Sequence, residues 1–136
     1  MGNIKKLVIA AVCLVVLGGA AYGIKYLSDV KKYKDIIKGI SVEKVDLSKV
    51  KDGDYTGRLD AIMIEAKVNV KVENHQIVDI ELVEHKNERG KRAEVIPDRV
   101  VKAQSLQVDT VSGATNSSKV ILKAIENALK SGEDKA

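Results

Sequence analysis

Hydrophobic residues form an unbroken run near the N-terminus, alternate with polar residues in the centre and follow helical spacing towards the C-terminus. The run covers residues 7–24, carries no charge and follows Lys5 and Lys6. An apolar stretch of about 18 residues is near the minimum length that spans a bilayer core as a helix. We therefore predict a membrane anchor over residues 1–28. A cleaved signal peptide is the alternative, because the small residues over 18–23 would suit cleavage.

The flanks of this run predict a stalk and an orientation. Helical spacing after the run predicts a short helical stalk within a linker over residues 29–46, with apolar positions at Val30, Tyr33, Ile36 and Ile37. Lysines lie on both flanks, and the short basic tail before the run favours an N-terminus inside the cell. We therefore expect a single-pass protein of the cell membrane, held in the bilayer by residues 7–24, with its domain on the extracytoplasmic side.

The central part of the chain has the period-two pattern of β-strands. Apolar residues alternate in two consecutive segments, at Val68, Val70 and Val72 and then at Val78, Ile80 and Leu82. Asn74 and His75 lie between the segments, and both residue types tolerate positive φ better than most. The pattern predicts an antiparallel hairpin with one buried face.

Two helices are predicted after the hairpin. Pro97 suits the first turn of the earlier one, whose spaced positions are Ile96, Val100, Val101 and Gln104. The later helix has an apolar stripe at Val120, Ile121, Ala124, Ile125, Ala128 and Leu129, a polar face at Lys119, Lys123, Glu126 and Lys130, and a stop at Gly132. The predicted fold class is α+β: an N-terminal transmembrane helix, then a small domain over residues 47–132 with an antiparallel sheet packed against helices, and a tail over 133–136.

Composition narrows the function classes. Aromatic residues make up 3% of the chain, with no Trp and no Phe, so the core must be aliphatic and only Tyr55 falls in the predicted domain. The net charge is +4, but acidic and basic residues are interleaved, and we expect no nucleic-acid partner because a basic face with aromatic or arginine readers is missing. The single cysteine, Cys13, lies in the apolar run and excludes an internal disulfide.

The segment "DTVSGATNSS", residues 109–118, concentrates the candidate chemistry immediately before the last helix. Gly113 and Ala114 leave room for a close approach, and the helix start offers unpaired N–H groups and a positive dipole end to a phosphate. The hydroxyl and amide side chains here can either cap the helix or bind phosphate oxygens: Thr115, Asn116, Ser117 and Ser118. Asp109 is unexplained by capping alone.

As a set, these residues resemble the flavinylation motif of the FMN-binding domain family. The family pattern is Asp, two variable residues, Ser or Thr, Gly, Ala, Thr and, two positions on, a hydroxyl residue. It is matched by Asp109, Ser112, Gly113, Ala114, Thr115 and Ser117. The hairpin and the His85 that follows it also resemble the family, which includes subunits of sodium-pumping quinone reductases and Rnf complexes and small membrane-anchored extracellular flavoproteins.

The resemblance implies that Thr115 carries FMN through a phosphoester bond, which a separate flavin transferase installs outside the cytoplasm. The implied cofactor-binding residues are Asp109, Ser112, Gly113, Ala114, Thr115, Asn116, Ser117, Ser118 and His85. The implied function is a membrane-anchored electron-transfer flavoprotein that works between a quinone-linked donor or other redox partner and an extracytoplasmic acceptor. The alternative is a membrane-tethered, non-redox binding or scaffold module in which the turn is only a helix cap.

Two further expectations concern the chemistry of the site. No nicotinamide-binding glycine fingerprint is evident, which favours an electron carrier or redox-complex subunit over a self-sufficient enzyme, with no catalytic residue and no metal site assigned. The basic loop after His85 predicts that Lys86, Arg89 or Lys91 lies near the flavin ring and stabilises its reduced form. His85 itself is either a strand-ending hydrogen-bonding residue or a proton donor near the ring.

Overall fold

A long N-terminal helix precedes a three-stranded antiparallel sheet and two further helices in the computed structural model, which describes residues 2–87 and 90–133. The helices are α1 Gly2–Gly39, α2 Ile96–Ala103 and α3 Thr115–Ser131; the strands are β1 Gly53–Asp60, β2 Glu65–Glu73 and β3 Gln76–Lys86. Short 3-10 turns cover Leu47–Lys49 and Lys91–Val95. The predicted α+β class is confirmed. Arg89 and the tail residues 134–136 lie outside the described residues.

The sheet has the order β1-β2-β3, and its central strand supplies an alternating buried face at Val68, Val70 and Val72. The predicted hairpin turn is confirmed, since Asn74 and His75 both have positive φ, 53° and 61°. The imidazole of His75 also lies 3.1 Å from the Val50 carbonyl, which ties the turn to the preceding loop.

One position in β3 differs from the predicted alternation. Val78 was expected on the buried face but is exposed, and Ile77 is buried instead. A register shift between Lys71 and Val72 explains the difference, because Val72 pairs with Ile77 while Lys71 pairs with Asp79. The bulge leaves Val78 without a partner on β2. As a result Ile77 and Ile80, three residues apart, are buried on the same face of the sheet.

Helix α3 packs across β1 and β2, and all six residues of its predicted apolar stripe are buried. The close approach depends on Gly57 in β1, where a Cβ atom would lie 2.8 Å from the Ala128 Cβ and closer still to the Ala124 carbonyl oxygen. The helix ends before Gly132, as predicted. A side chain on Gly132 would strike the ring of Tyr55, which therefore packs at the C-terminal end of α3.

The predicted polar face of α3 was wrong at Glu126, which is fully buried. The segment after α1 runs along this face and covers it. The Glu126 carboxylate accepts a hydrogen bond from the Glu43 backbone N–H and pairs with the Lys123 ammonium, while Lys130 pairs with Glu43 at 2.8 Å. A buried carboxylate needs such partners, because an unpaired buried charge is costly.

Helix α1 continues without interruption from the apolar run through the predicted stalk. Its most apolar window has a mean hydropathy of 2.5 and is not buried against the rest of the chain, so by length and composition it could cross a membrane. At its domain end, Ile37 is buried, and Tyr33 and Ile36 pack against the core. The apolar positions predicted for the stalk therefore dock α1 onto the folded domain.

Candidate functional site

A cavity of about 370 Å³ opens where α1, the β1–β2 loop and the start of α3 meet. The residues that line it are Tyr33, Met63, Ile64, Gly90, Gly113, Ala114, Thr115, Asn116 and Ser117. Five of these come from the segment that the sequence singled out, at 113–117. Cavities of this size hold small organic ligands, and this one combines apolar walls with hydroxyl and amide groups on one side.

The start of α3 carries no side-chain cap in the part of the chain that the structure describes. Ala114 occupies the N-cap position, where a Ser, Thr, Asp or Asn would normally accept a hydrogen bond from the first turn. Thr115 is the first helical residue; it is exposed and lines the cavity. Its hydroxyl is therefore not used as the helix cap, and the first turn of α3 has N–H groups to which no side chain from the N-cap position is bonded among the described residues, as a bound anion would need.

The two buried serines of the first turn have different surroundings. Ser118 is fully buried; its hydroxyl donates to the Ala114 carbonyl at 2.8 Å and accepts from the Val111 N–H at 3.0 Å. Ser117 is 1% exposed and lines the cavity, yet its hydroxyl has no hydrogen-bond partner among the described residues. Ser118 thus holds the turn in shape, whereas Ser117 has hydrogen-bonding capacity left for a ligand.

Gly90 brings the segment after β3 against the start of α3. A Cβ atom on Gly90 would lie 2.6 Å from the Ser117 Cβ and closer still to its hydroxyl. The Gly90 N–H donates to the Asn87 side-chain oxygen at 2.9 Å, which fixes the approach. Only a glycine fits here. This close approach was not predictable from the sequence, because Gly90 and its neighbour Ser117 on α3 are far apart along the chain.

The β1–β2 loop forms the apolar wall with Met63 and Ile64. Ile62 in this loop has φ 71°, a left-handed conformation that is rare for a β-branched residue. The loop is held by hydrogen bonds from the Ile62 N–H to Asp60 Oδ1 and from the Ala61 N–H to the Ile64 carbonyl, both 2.8 Å. Strained backbone of this kind is found where surrounding structure fixes a functional loop.

Helix α1 supplies the remaining wall through Tyr33. The Asn116 side-chain amide donates to the Tyr33 hydroxyl at 2.9 Å, which joins the domain end of α1 to the first turn of α3. The sequence pattern predicts Tyr33 in the stalk and indicates no role for it in the site. The apolar positions at helical spacing in the stalk indicate that this face of the helix packs against another surface, and that was the available sign that Tyr33 contacts the domain.

The structure does not bring Asp109 and Ser112 to the cavity. Both are exposed, and neither lines it. The Asp109 backbone carbonyl accepts a hydrogen bond from Arg99 Nη1 at 3.1 Å, and Asp109 lines a different cavity together with Thr110 and Lys119. These two residues of the motif are therefore accessible from outside the protein and are not placed to contact a ligand inside the cavity.

His85 lies next to the cavity walls but not on them. Its side chain is 2% exposed, and its Nδ1 lies 3.4 Å from Glu94 Oε1 and 3.2 Å from Asn87 Nδ2. Its Nε2 is buried with no partner within the described ranges 2–87 and 90–133. Through Asn87, His85 supports the loop that positions Gly90. The Lys86 ammonium donates to the Ile62 carbonyl at 3.3 Å and so supports the strained loop.

The family model described as FMN-binding domain matches residues 61–130, more than half of the chain. The chain belongs to the FMN-binding domain family. The matched region contains every residue that lines the cavity except Tyr33. A comparison with curated proteins found no match.

The residues of the cavity fit the FMN that this family binds. A phosphate group needs hydrogen-bond donors and favours the positive end of a helix dipole. The start of α3 and the Ser117 hydroxyl, both without a side-chain partner among the described residues, supply both. Met63 and Ile64 supply apolar surface for a ring system. The cavity therefore presents phosphate-binding groups on one side and apolar contacts on the other.

Proposed function

We propose that the chain is a membrane-anchored electron-transfer flavoprotein that carries FMN covalently through a phosphoester bond to Thr115. One observation carries the assignment: Thr115 is an exposed hydroxyl residue at the first position of an uncapped helix, on the wall of a cavity in an FMN-binding domain. It also stands at the attachment position of the flavinylation motif that the sequence resembles. The exposed hydroxyl leaves room for an external enzyme to reach it.

The covalent step that we propose requires a second enzyme and a flavin donor. Thr115 Oγ1 releases its proton to solvent and forms an ester bond to the phosphorus of the FMN half of FAD, and AMP leaves with the electrons of the broken phosphoanhydride bond. The resemblance to the family implies that a flavin transferase catalyses this reaction with magnesium. Asp109 and Ser112, which are exposed and do not line the cavity, are then recognition residues for the transferase rather than contacts of the bound cofactor.

In the loaded protein, the N–H groups of the first turn of α3 and the Ser117 hydroxyl would hold the phosphodiester oxygens. FMN, when bound, supplies reversible one- and two-electron transfer. The tether suits this cavity, because its walls offer a single aromatic ring and a covalent link keeps the cofactor at high effective concentration however weak the ring contacts are. Helix α1 would confine the carrier to the extracytoplasmic membrane face, beside quinone-linked donors or other redox partners.

The start of α3 supports the flavoprotein over a scaffold module in which the turn serves only as a helix cap. That alternative requires a side chain from the motif to cap α3, and the N-cap in the described chain is Ala114, with no capping side chain. Ser118 stabilises the turn, but this role uses one of the hydroxyls and leaves Thr115 and Ser117 unexplained. Phosphate binding explains both.

Coexpression with a flavin transferase tests the proposal. We expect intact mass spectrometry to show one FMN adduct and the protein band to fluoresce after denaturing electrophoresis. Thr115→Val, which preserves the side-chain shape and removes the hydroxyl, should abolish both signals. Addition of membranes that contain a reduced quinone should then bleach the flavin absorbance of the loaded protein. Unmodified wild-type protein, or an adduct that survives Thr115→Val, would exclude the covalent assignment; a flavin that stays oxidised would exclude the proposed donor.

A further inference from the structure

The membrane helix contributes to a cavity that otherwise belongs to the FMN-binding domain. All lining residues lie within the matched region 61–130 except Tyr33, which is on α1. Tyr33 is also the single aromatic residue among the described residues that line the cavity. Tyr55, the tyrosine that the sequence places in the domain, packs instead against Gly132 at the opposite end of α3.

Several contacts hold α1 and the segment after it along α3. Tyr33 bonds to Asn116 in the first turn, and Ile37 is buried one turn further along α1. The Lys123 ammonium then donates to the Ser41 carbonyl at 3.0 Å, and Lys130 pairs with Glu43 near the end of α3. Because these contacts follow α3 from its first turn to its last, the position of Tyr33 is fixed by the whole segment and not by one hydrogen bond.

We propose that Tyr33 contacts the flavin, so that the cofactor pocket is complete only when the membrane helix is docked on the domain. This inference rests on the proposed function only where it assumes a covalently linked flavin. It does not need the covalent link if FMN binds without one. The Tyr33 hydroxyl accepts a hydrogen bond from Asn116, which holds the phenol at the cavity wall, where its ring can contact a ligand. An aromatic ring is the side chain best suited to contact a planar, polarisable ligand.

This contact would also set the distance between the flavin and the bilayer. Tyr33 lies nine residues after Ile24, the last residue of the uncharged run, which corresponds to about 14 Å along a helix axis. A flavin held against Tyr33 therefore stays near the membrane surface rather than at the end of a free tether. A lipid-soluble electron donor in the same membrane is the class of partner that this position suits.

Flavin fluorescence in the full-length protein tests the contact, with Tyr33→Ala, Tyr33→Phe and the control Tyr26→Ala. Tyr26 lies two turns earlier on α1, is 49% exposed and does not line the cavity. A phenol in contact with a flavin quenches its emission by electron transfer, and a phenyl ring does not. Both Tyr33 variants should therefore fluoresce severalfold more strongly than the wild type. Iodide quenching should rise roughly twofold in Tyr33→Ala, which loses a pocket wall, and stay unchanged in Tyr33→Phe.

The outcomes separate this inference from the covalent assignment. If the adduct forms but emission and iodide quenching in both Tyr33 variants equal those of Tyr26→Ala, Tyr33 does not contact the flavin and the inference is overturned, while the covalent link stands. If no adduct forms, free FMN is titrated into the same three proteins and the dissociation constants are compared. Weaker binding in Tyr33→Ala than in Tyr26→Ala then supports the contact, and equal binding overturns it.

Discussion

Replacement of Ser117 by Ala should make the FMN-free protein more stable and FMN binding weaker. The Ser117 hydroxyl is buried without a partner among the described residues, and a buried unsatisfied polar group costs about 1–3 kcal/mol. Removal of the oxygen relieves this cost, so we expect the free energy of unfolding to rise by about 1 kcal/mol. A hydrogen bond from Ser117 to a phosphate contributes about 1.5–3 kcal/mol, so its loss should weaken FMN binding by roughly ten- to a hundredfold.

Ser118→Ala is the matched control, because the same atom is removed from the neighbouring buried serine. Ser118 makes two hydrogen bonds, to Ala114 and Val111, and its loss should destabilise the free protein by about 1–3 kcal/mol. Denaturant unfolding of FMN-free protein and titration with free FMN measure the two quantities. If Ser117→Ala destabilises the free protein as much as Ser118→Ala does, the Ser117 hydroxyl already has a partner and the phosphate argument fails.

The fold itself leads to two further predictions. Gly57→Ala should lower the free energy of unfolding by about 1–3 kcal/mol or more, because the added methyl meets the α3 backbone near Ala128; a denaturant midpoint equal to that of the wild type would contradict this packing. The hydrogen bond with Lys130 lowers the pKa of Glu43 below its usual 4.5 and raises the pKa of Lys130 above 10.5. The pair should therefore stabilise the protein between these values, lose its effect as pH falls through the lowered Glu43 pKa, and lose it again as pH rises through the raised Lys130 pKa. A Glu43→Gln protein whose unfolding midpoint differs from the wild type equally at all pH values would refute this.

Local sequence pattern predicted the secondary structure well where one face of an element was buried. The alternation at Val68, Val70 and Val72 and the residue types at Asn74 and His75 were sufficient for the hairpin, because strand period and turn chemistry are local properties. The exposed Val78 was not predictable, since a bulge depends on the pairing between strands and not on either strand alone.

Long-range packing accounts for the misplaced Glu126. A polar stripe at helical spacing normally faces solvent, and nothing in α3 indicates that a segment from before the sheet will cover it. The contacts with Glu43 that bury Glu126 join residues far apart in the sequence. The same long-range docking brings Tyr33 to the cavity. The burial of Glu126 and the position of Tyr33 therefore have one structural cause.

The candidate site was predictable only where its residues are consecutive. The segment 113–117 was singled out from its small residues, its hydroxyls and its position before a helix, and all five residues line the cavity. Met63, Ile64 and Gly90 were not anticipated, because an apolar pair in a short loop and an isolated glycine have no distinctive pattern. Asp109 and Ser112 match the family motif but are exposed and do not line the cavity, so the motif alone did not predict which of its residues form the cavity wall.

The location of the flavin on the polypeptide tests the central claim most directly. Trypsin should release residues 103–119 as one peptide that contains every hydroxyl side chain of the motif. Tandem mass spectrometry of this peptide, from protein coexpressed with a flavin transferase, should place a single FMN phosphoester on Thr115 and no flavin on Ser112, Ser117 or Ser118. A peptide without flavin, or fragment ions that place FMN on one of the serines, would contradict the account.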